Sequence, residues 1–151
     1  MQAPLDDRLL LILDHVLARL VPTDELGPGA REARVIDYVT RALEDGDGDA
    51  RVTYARGLAA LDHYSQRMHG AGFSTVEAEA QDAALVALEQ GAIEADGDGA
   101  AFFELVLRHT RQGMFGDPRW GGNAERIGWD LLGYPGPRHV WTAEDQALTQ
   151  L

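Results

Sequence analysis

Acid–base chemistry in this sequence would have to start at His109, whose ring changes charge near neutral pH, with Glu104 and Asp117 as carboxylates able to orient it. No grouping of nucleophile, base and orienter can be assembled around it, and a histidine beside Thr110 at a helix end is equally suited to bonding terminal carbonyls or pinning a loop. A second candidate is the alternating run Asp45-Gly46-Asp47-Gly48-Asp49, which reproduces the first three ligand positions of an EF-hand loop. The rest of that pattern fails, because Ala50 stands where the turn glycine belongs and Arg56 where a bidentate glutamate belongs, so a solvated interhelix loop is expected. His63 and His69 are six residues apart and fall on different helix faces, which argues against joint metal ligation. Gly113, Gly116, Gly121 and Gly122 lack both the spacing and the preceding strand of a dinucleotide fingerprint, so tight turns are their expected use.

What remains is a stretch built for contact. Met114, Phe115, Arg119 and Trp120 fall in a Gly- and Pro-pinned segment after an apolar helix that carries Arg108 and Arg111. Large rigid side chains and arginines on a shaped backbone are how interface anchors are built. Asp117-Pro118 is a turn-starting pair, and Asn123, Tyr134 and Arg138 continue the surface. Phe102, Phe103 and Trp129 occupy helical positions with core spacing and are expected inside.

The elements that must carry this surface are helices. The chain has 151 residues, 45% hydrophobic and 25% charged, long enough for one domain with its own core. Apolar residues recur at helical spacing from about Asp6 to Val21, Arg31 to Glu44, Arg51 to Met68 and Ala100 to Gly113. A fourth segment, up to about Glu89, opens on Ser74 and Glu77, which form the pattern of a capping box. Asn123 is the expected N-cap of a short helix over Ala124 to Leu132, with Gly133 at its end, and Thr142 with Asp145 suggests a last turn in the tail. Gly113 is expected to close the fifth helix. No segment shows strand alternation and no internal repeat is present. The expectation is an all-α single domain of about five to seven helices over residues 1–151, with a loop-rich C-terminal third.

Charge excludes one class of partner. The net charge is -12 and every one of the 13 basic residues is arginine, the opposite of a nucleic-acid footprint. The longest aliphatic run, Leu9 to Leu13, is too short to span a membrane. Cysteine is absent, which removes disulfides and thiolate chemistry. Residues 1–7 show no basic region followed by an apolar one, so no export signal is expected in this chain.

The run Phe103 to Asn123 contains Arg108-His109-Thr110, Gly113-Met114-Phe115-Gly116-Asp117-Pro118 and Trp120-Gly121-Gly122-Asn123. With Gly128-Trp129 and Gly133-Tyr134-Pro135-Gly136-Pro137-Arg138, it closely resembles the gluconate 2-dehydrogenase subunit 3 family. Pro22-Thr23-Asp24 and Gly27-Pro28-Gly29-Ala30-Arg31-Glu32-Ala33 are similar to that family's first interhelical segment, so the likeness spans about Leu9 to Arg138. The resemblance implies a small non-flavin subunit of an FAD-dependent sugar, polyol or glycoside dehydrogenase. FAD and the oxidation chemistry would belong to a large partner subunit, and in many complexes a cytochrome c subunit carries the electrons away. The small subunit would bind the flavoprotein and support its folding, flavin loading, stability or export. It would bind no cofactor and catalyse nothing alone. A periplasmic or cell-envelope location is implied by the resemblance, against the missing signal. Its contact residues would be Arg108, His109, Arg111, Met114, Phe115, Asp117, Arg119, Trp120, Asn123, Tyr134 and Arg138. In the alternative, His109 or Arg111 reaches into a composite active site with the large subunit.

Overall fold

The computed structural model describes residues 5–46, 48–95 and 97–137. Asp47, Arg138, Trp141 and the Thr142–Asp145 cap lie outside them. Six α-helices follow in chain order: α1 (Asp7–Leu20), α2 (Val35–Asp45), α3 (Gly48–His69), α4 (Ala78–Glu89), α5 (Gly99–Phe115) and α6 (Ile127–Leu132). Two 3-10 turns, Pro118–Trp120 and Ala124–Arg126, join α5 to α6. Among the described residues there is no strand, and the fold is all-α.

Each helix forms where a buried stripe and a start signal coincide. In α1 the Asp6 carboxylate caps the helix by accepting from the Leu9 amide at 2.8 Å, and Leu9, Ile12, Leu13, Val16 and Leu17 face inward. In α5, Asp98 caps the Ala100 amide, and Phe102, Phe103, Val106 and Thr110 are buried. α5 touches each of the other five helices and is the axis of the core. Two glycines let it sit there. A Cβ on Gly57 of α3 would lie 2.5 Å from the Phe102 ring. One on Gly113 of α5 would lie 2.8 Å from Val35 Cγ1 and 3.1 Å from Tyr38 Cβ in α2.

That second crossing corrects the expected end of the fifth helix. Gly113 does not stop α5, which runs on through Met114 and Phe115 to a C-cap at Gly116. The glycine's missing side chain is used for interhelical approach, so Met114 turns into the core with no exposed surface instead of being displayed in a loop. Three smaller expectations are also corrected. Arg31 to Arg34 form a turn ending in a left-handed Arg34, with φ 53°, and α2 begins only at Val35. Ser74 and Glu77 make no capping box, since α4 starts at Ala78 and its N-cap Glu77 makes no side-chain cap bond. Met68 faces outward near the end of α3.

Candidate functional site

The surface segment between α5 and α6 is held by one buried side chain. Asn123 is fully buried, and its Oδ1 accepts from the Gly128 amide at 2.7 Å and the Trp129 amide at 3.4 Å, the second and third residues of α6. Its Nδ2 donates to the Gly116 carbonyl at 2.7 Å, and its backbone amide donates to the Gly113 carbonyl, also at 2.7 Å. Asn123 therefore caps α6, as an N-cap would, but across an intervening 3-10 turn, while tying the helix start to the end of α5. The backbone N-cap position belongs to Arg126.

The geometry requires unusual backbone. Gly121 and Gly122 have φ of 86° and 68°, and Asn123, Glu125 and Arg126 are left-handed at 41°, 55° and 64°. A Cβ on Gly122 would strike the Gly113 carbonyl. Left-handed conformations cost an ordinary L-residue roughly 1–2 kcal/mol each, so the segment persists only because its surroundings over-determine it. One brace comes from the first interhelical segment, where the Ala33 carbonyl, beside left-handed Arg34, accepts from the Ala124 amide at 2.9 Å. The two sequence blocks similar to the family thus meet in space.

On this frame stands Trp120, 52% exposed, at the end of the first 3-10 turn. Asp117 starts that turn by accepting from the Arg119 amide at 3.0 Å, and its carboxylate approaches Arg119 Nε at 3.4 Å. The guanidinium of Arg119 lies 5.1 Å from the Trp120 ring centre and that of Arg41 in α2 lies 5.7 Å away. Arg41 also donates to the Arg119 carbonyl at 3.0 Å, locking the turn onto α2. Tyr38, Arg41, Ala42, Asp45 and Trp120 line an open cleft of about 320 Å³. The Tyr38 hydroxyl, 3.0 Å from Gln112 Oε1, extends the same face to α5.

His109 supports this platform from beneath. Its ring stacks on Tyr54, with centres 5.7 Å apart, and meets Tyr38 edge-on at 6.5 Å. Nδ1 lies 2.7 Å from the Tyr54 hydroxyl. Burial pushes the Tyr54 hydroxyl upward, so it keeps its proton and donates, which assigns the acceptor lone pair to Nδ1. Burial, and then the nearby Arg108 charge, hold the His109 pKa below its ordinary value and favour the neutral ring. Neither Glu104 nor Asp117 is the partner of Nδ1. The ring pins α5 to α3, a side-chain bond in place of the terminal carbonyl bond expected.

The other anticipated residues divide by exposure. Arg108 and Arg111 project from α5, Phe115 ends that helix at 36% exposure, and Tyr134 packs edge-on against Trp129 at 5.2 Å while staying 44% exposed. Trp129 is buried, as expected, and donates Nε1–H to the Phe115 carbonyl at 2.7 Å. Met114 and Asn123 lie inside the chain, and Arg138 falls outside the described residues. Sequence reasoning missed Tyr38, Arg41 and Gln112 because nothing in a linear reading joins α2 to a segment some eighty residues later. Arg126, which covers Trp129 at 5.5 Å and donates to the Pro135 carbonyl at 2.5 Å, was also missed, although both partners lie close to it in sequence, because its left-handed backbone sets where the side chain goes.

Fold and surface together define a small all-helical protein whose most conspicuous face is made of aromatic and arginine side chains on a braced backbone. The chain belongs to the gluconate 2-dehydrogenase subunit 3 family, whose pattern matches residues 9–136. No curated protein and no solved structure matches it. Among the described residues, no helix is long and apolar enough to cross a membrane.

Proposed function

We propose that this chain is the non-catalytic small subunit of an FAD-dependent sugar, polyol or glycoside dehydrogenase complex. In this reading it binds the flavoprotein subunit and supports that subunit's folding, flavin loading, stability or export. Family membership supplies the partner class. The observation that carries the docking role is Trp120, half-exposed beside two guanidiniums on a segment whose strained backbone is fixed before any partner arrives. Tryptophan, tyrosine and arginine on a rigid frame are the residue types that dominate binding energies. In this reading FAD belongs to the partner, and the use of the glycines at 113, 121 and 122 in a helix crossing and tight turns supports it. His109 is better suited to bracing than to a composite active site, since its Nδ1 is engaged by Tyr54.

The test is co-expression of the candidate FAD-dependent subunit with and without this chain, followed by size-exclusion chromatography, flavin absorbance and dehydrogenase assays. The expected result is co-elution, with flavin loading and activity that depend on this chain. A flavoprotein equally loaded and active alone, with this chain eluting separately, refutes the reading. Trp120→Ala and Phe115→Ala should each weaken the complex by about 2 kcal/mol or more if they are anchors.

A further inference from the structure

The arginines of this chain are not distributed evenly between paired and unpaired states. Arg8, Arg19, Arg31 and Arg34 are engaged by carboxylates at 2.6 to 2.9 Å, and Arg41 and Arg119 by longer contacts at 3.6 and 3.4 Å. Arg126 bonds a carbonyl, and Arg51 and Arg56 have partners as well. Among the described residues, Arg67, Arg108 and Arg111 have no hydrogen-bond or ion-pair partner. Arg67 stands near the C-terminal end of α3. Arg108 and Arg111 stand together on α5, Arg108 one turn before Gln112, which pairs with Tyr38, and Arg111 one turn before the exposed Phe115.

Two neighbouring exposed cations without an ion-pair partner stand out in a chain of net charge -12, where carboxylates outnumber arginines almost two to one; exposed Glu104, one turn before Arg108, is the acidic residue on the same face of α5. The long-range field of the whole protein repels an acidic partner, and this patch locally opposes that field. We infer that the exposed α5 face bearing Arg108, Arg111 and Phe115 docks on an acidic patch of the flavoprotein subunit. The inference rests on the function proposed above and adds the partner's chemistry and the division of labour. The arginines select orientation and speed encounter, whereas the aromatic side chains set how long the complex lasts. Both arginines are exposed, so their replacement leaves the core untouched.

The experiment measures association and dissociation rates between the full chain and the FAD-dependent subunit at low and at physiological salt. The wild type is compared with the double variant R108E/R111E and with R67E, after circular dichroism has verified that each is helical. The expected result for R108E/R111E is association slowed at least about tenfold at low salt, with a weakened or inverted salt dependence. R67E should behave as wild type. Equal rates for wild type and R108E/R111E overturn the inference and leave the proposed function standing. Equal slowing by R67E also overturns it, because overall charge alone would then be responsible. Absence of any wild-type complex refutes the proposed function itself.

Discussion

Asn123→Ala should be among the most damaging single substitutions in this chain, although it removes only a small polar group. The side chain satisfies the Gly128 amide and the Gly116 carbonyl through bonds of 2.7 Å and reaches the Trp129 amide at 3.4 Å. Orphaning a buried donor or acceptor costs about 1–3 kcal/mol, so the two short bonds together give an expected loss of about 3–4 kcal/mol. That is a large share of the roughly 5–15 kcal/mol that stabilises a typical domain. With a urea dependence of about 1–3 kcal/mol per molar, the unfolding midpoint should fall by roughly 1–4 M. Equilibrium urea unfolding followed by circular dichroism measures this directly. Asn123 is also left-handed, with φ of 41°, so a backbone explanation must be separated from a hydrogen-bond one. Asn123→Gly does so, since glycine accepts that conformation without steric cost. If Asn123→Gly is nearly as damaging as Asn123→Ala, the side-chain bonds are responsible. A glycine variant close to wild type, or an alanine variant losing less than about 1 kcal/mol, would refute the reasoning.

Other expectations follow from the same surroundings. Glu125→Gly should stabilise the chain by about 0.5–1 kcal/mol, because relief of the left-handed φ of 55° exceeds glycine's entropic cost; an unchanged melting temperature would contradict this. Gly113→Ala should destabilise by about 1 kcal/mol net, since overpacking against Val35 and Tyr38 outweighs the gain in helix propensity, and thermal unfolding reads the difference. His109 is held below its ordinary pKa of 6.5 by burial and then by Arg108, so the unfolded chain binds its proton more readily than the folded one. Stability should therefore fall as pH drops through that value and level off below the folded pKa. His109→Gln, which keeps an acceptor for Tyr54, should reduce the slope between pH 7 and 5 in chemical unfolding, leaving the part due to His15, whose pKa burial also lowers.

Much of the architecture was legible because it rests on local signals. The apolar stripe and Asp6 define α1, Gly133 follows α6 in left-handed conformation, and Phe102, Phe103 and Trp129 are inside. Failures fell where a residue's role depends on something distant. Gly113 carries the same stop signal as a terminal glycine, yet serves a crossing with α2, and that error misplaced Met114. Asn123 was correctly read as a capping residue, but its reach over a 3-10 turn depends on positive φ at Asn123, Glu125 and Arg126 that no periodicity encodes. The surface around Trp120 was visible as composition, whereas the half supplied by Tyr38 and Arg41 was not. Ser74 and Glu77 show the opposite case, a local pattern overruled by the turn in which Thr75 and Val76 bond back to Gly72.

The platform joins residues of α2 to residues near the end of α5 and beyond, and this separation dictates when it can exist. Tyr38 and Arg41 are made early in synthesis, but Gln112 and Trp120 come some eighty residues later, and Asn123 later still. No partial chain ending before α6 carries the completed face, because the amides that Asn123 caps belong to Gly128 and Trp129. Surface competence is thus a readout of finished tertiary structure. Under the proposed function, a partner that reads this face would engage only the completed fold, and a truncated or misfolded chain would offer it nothing to bind.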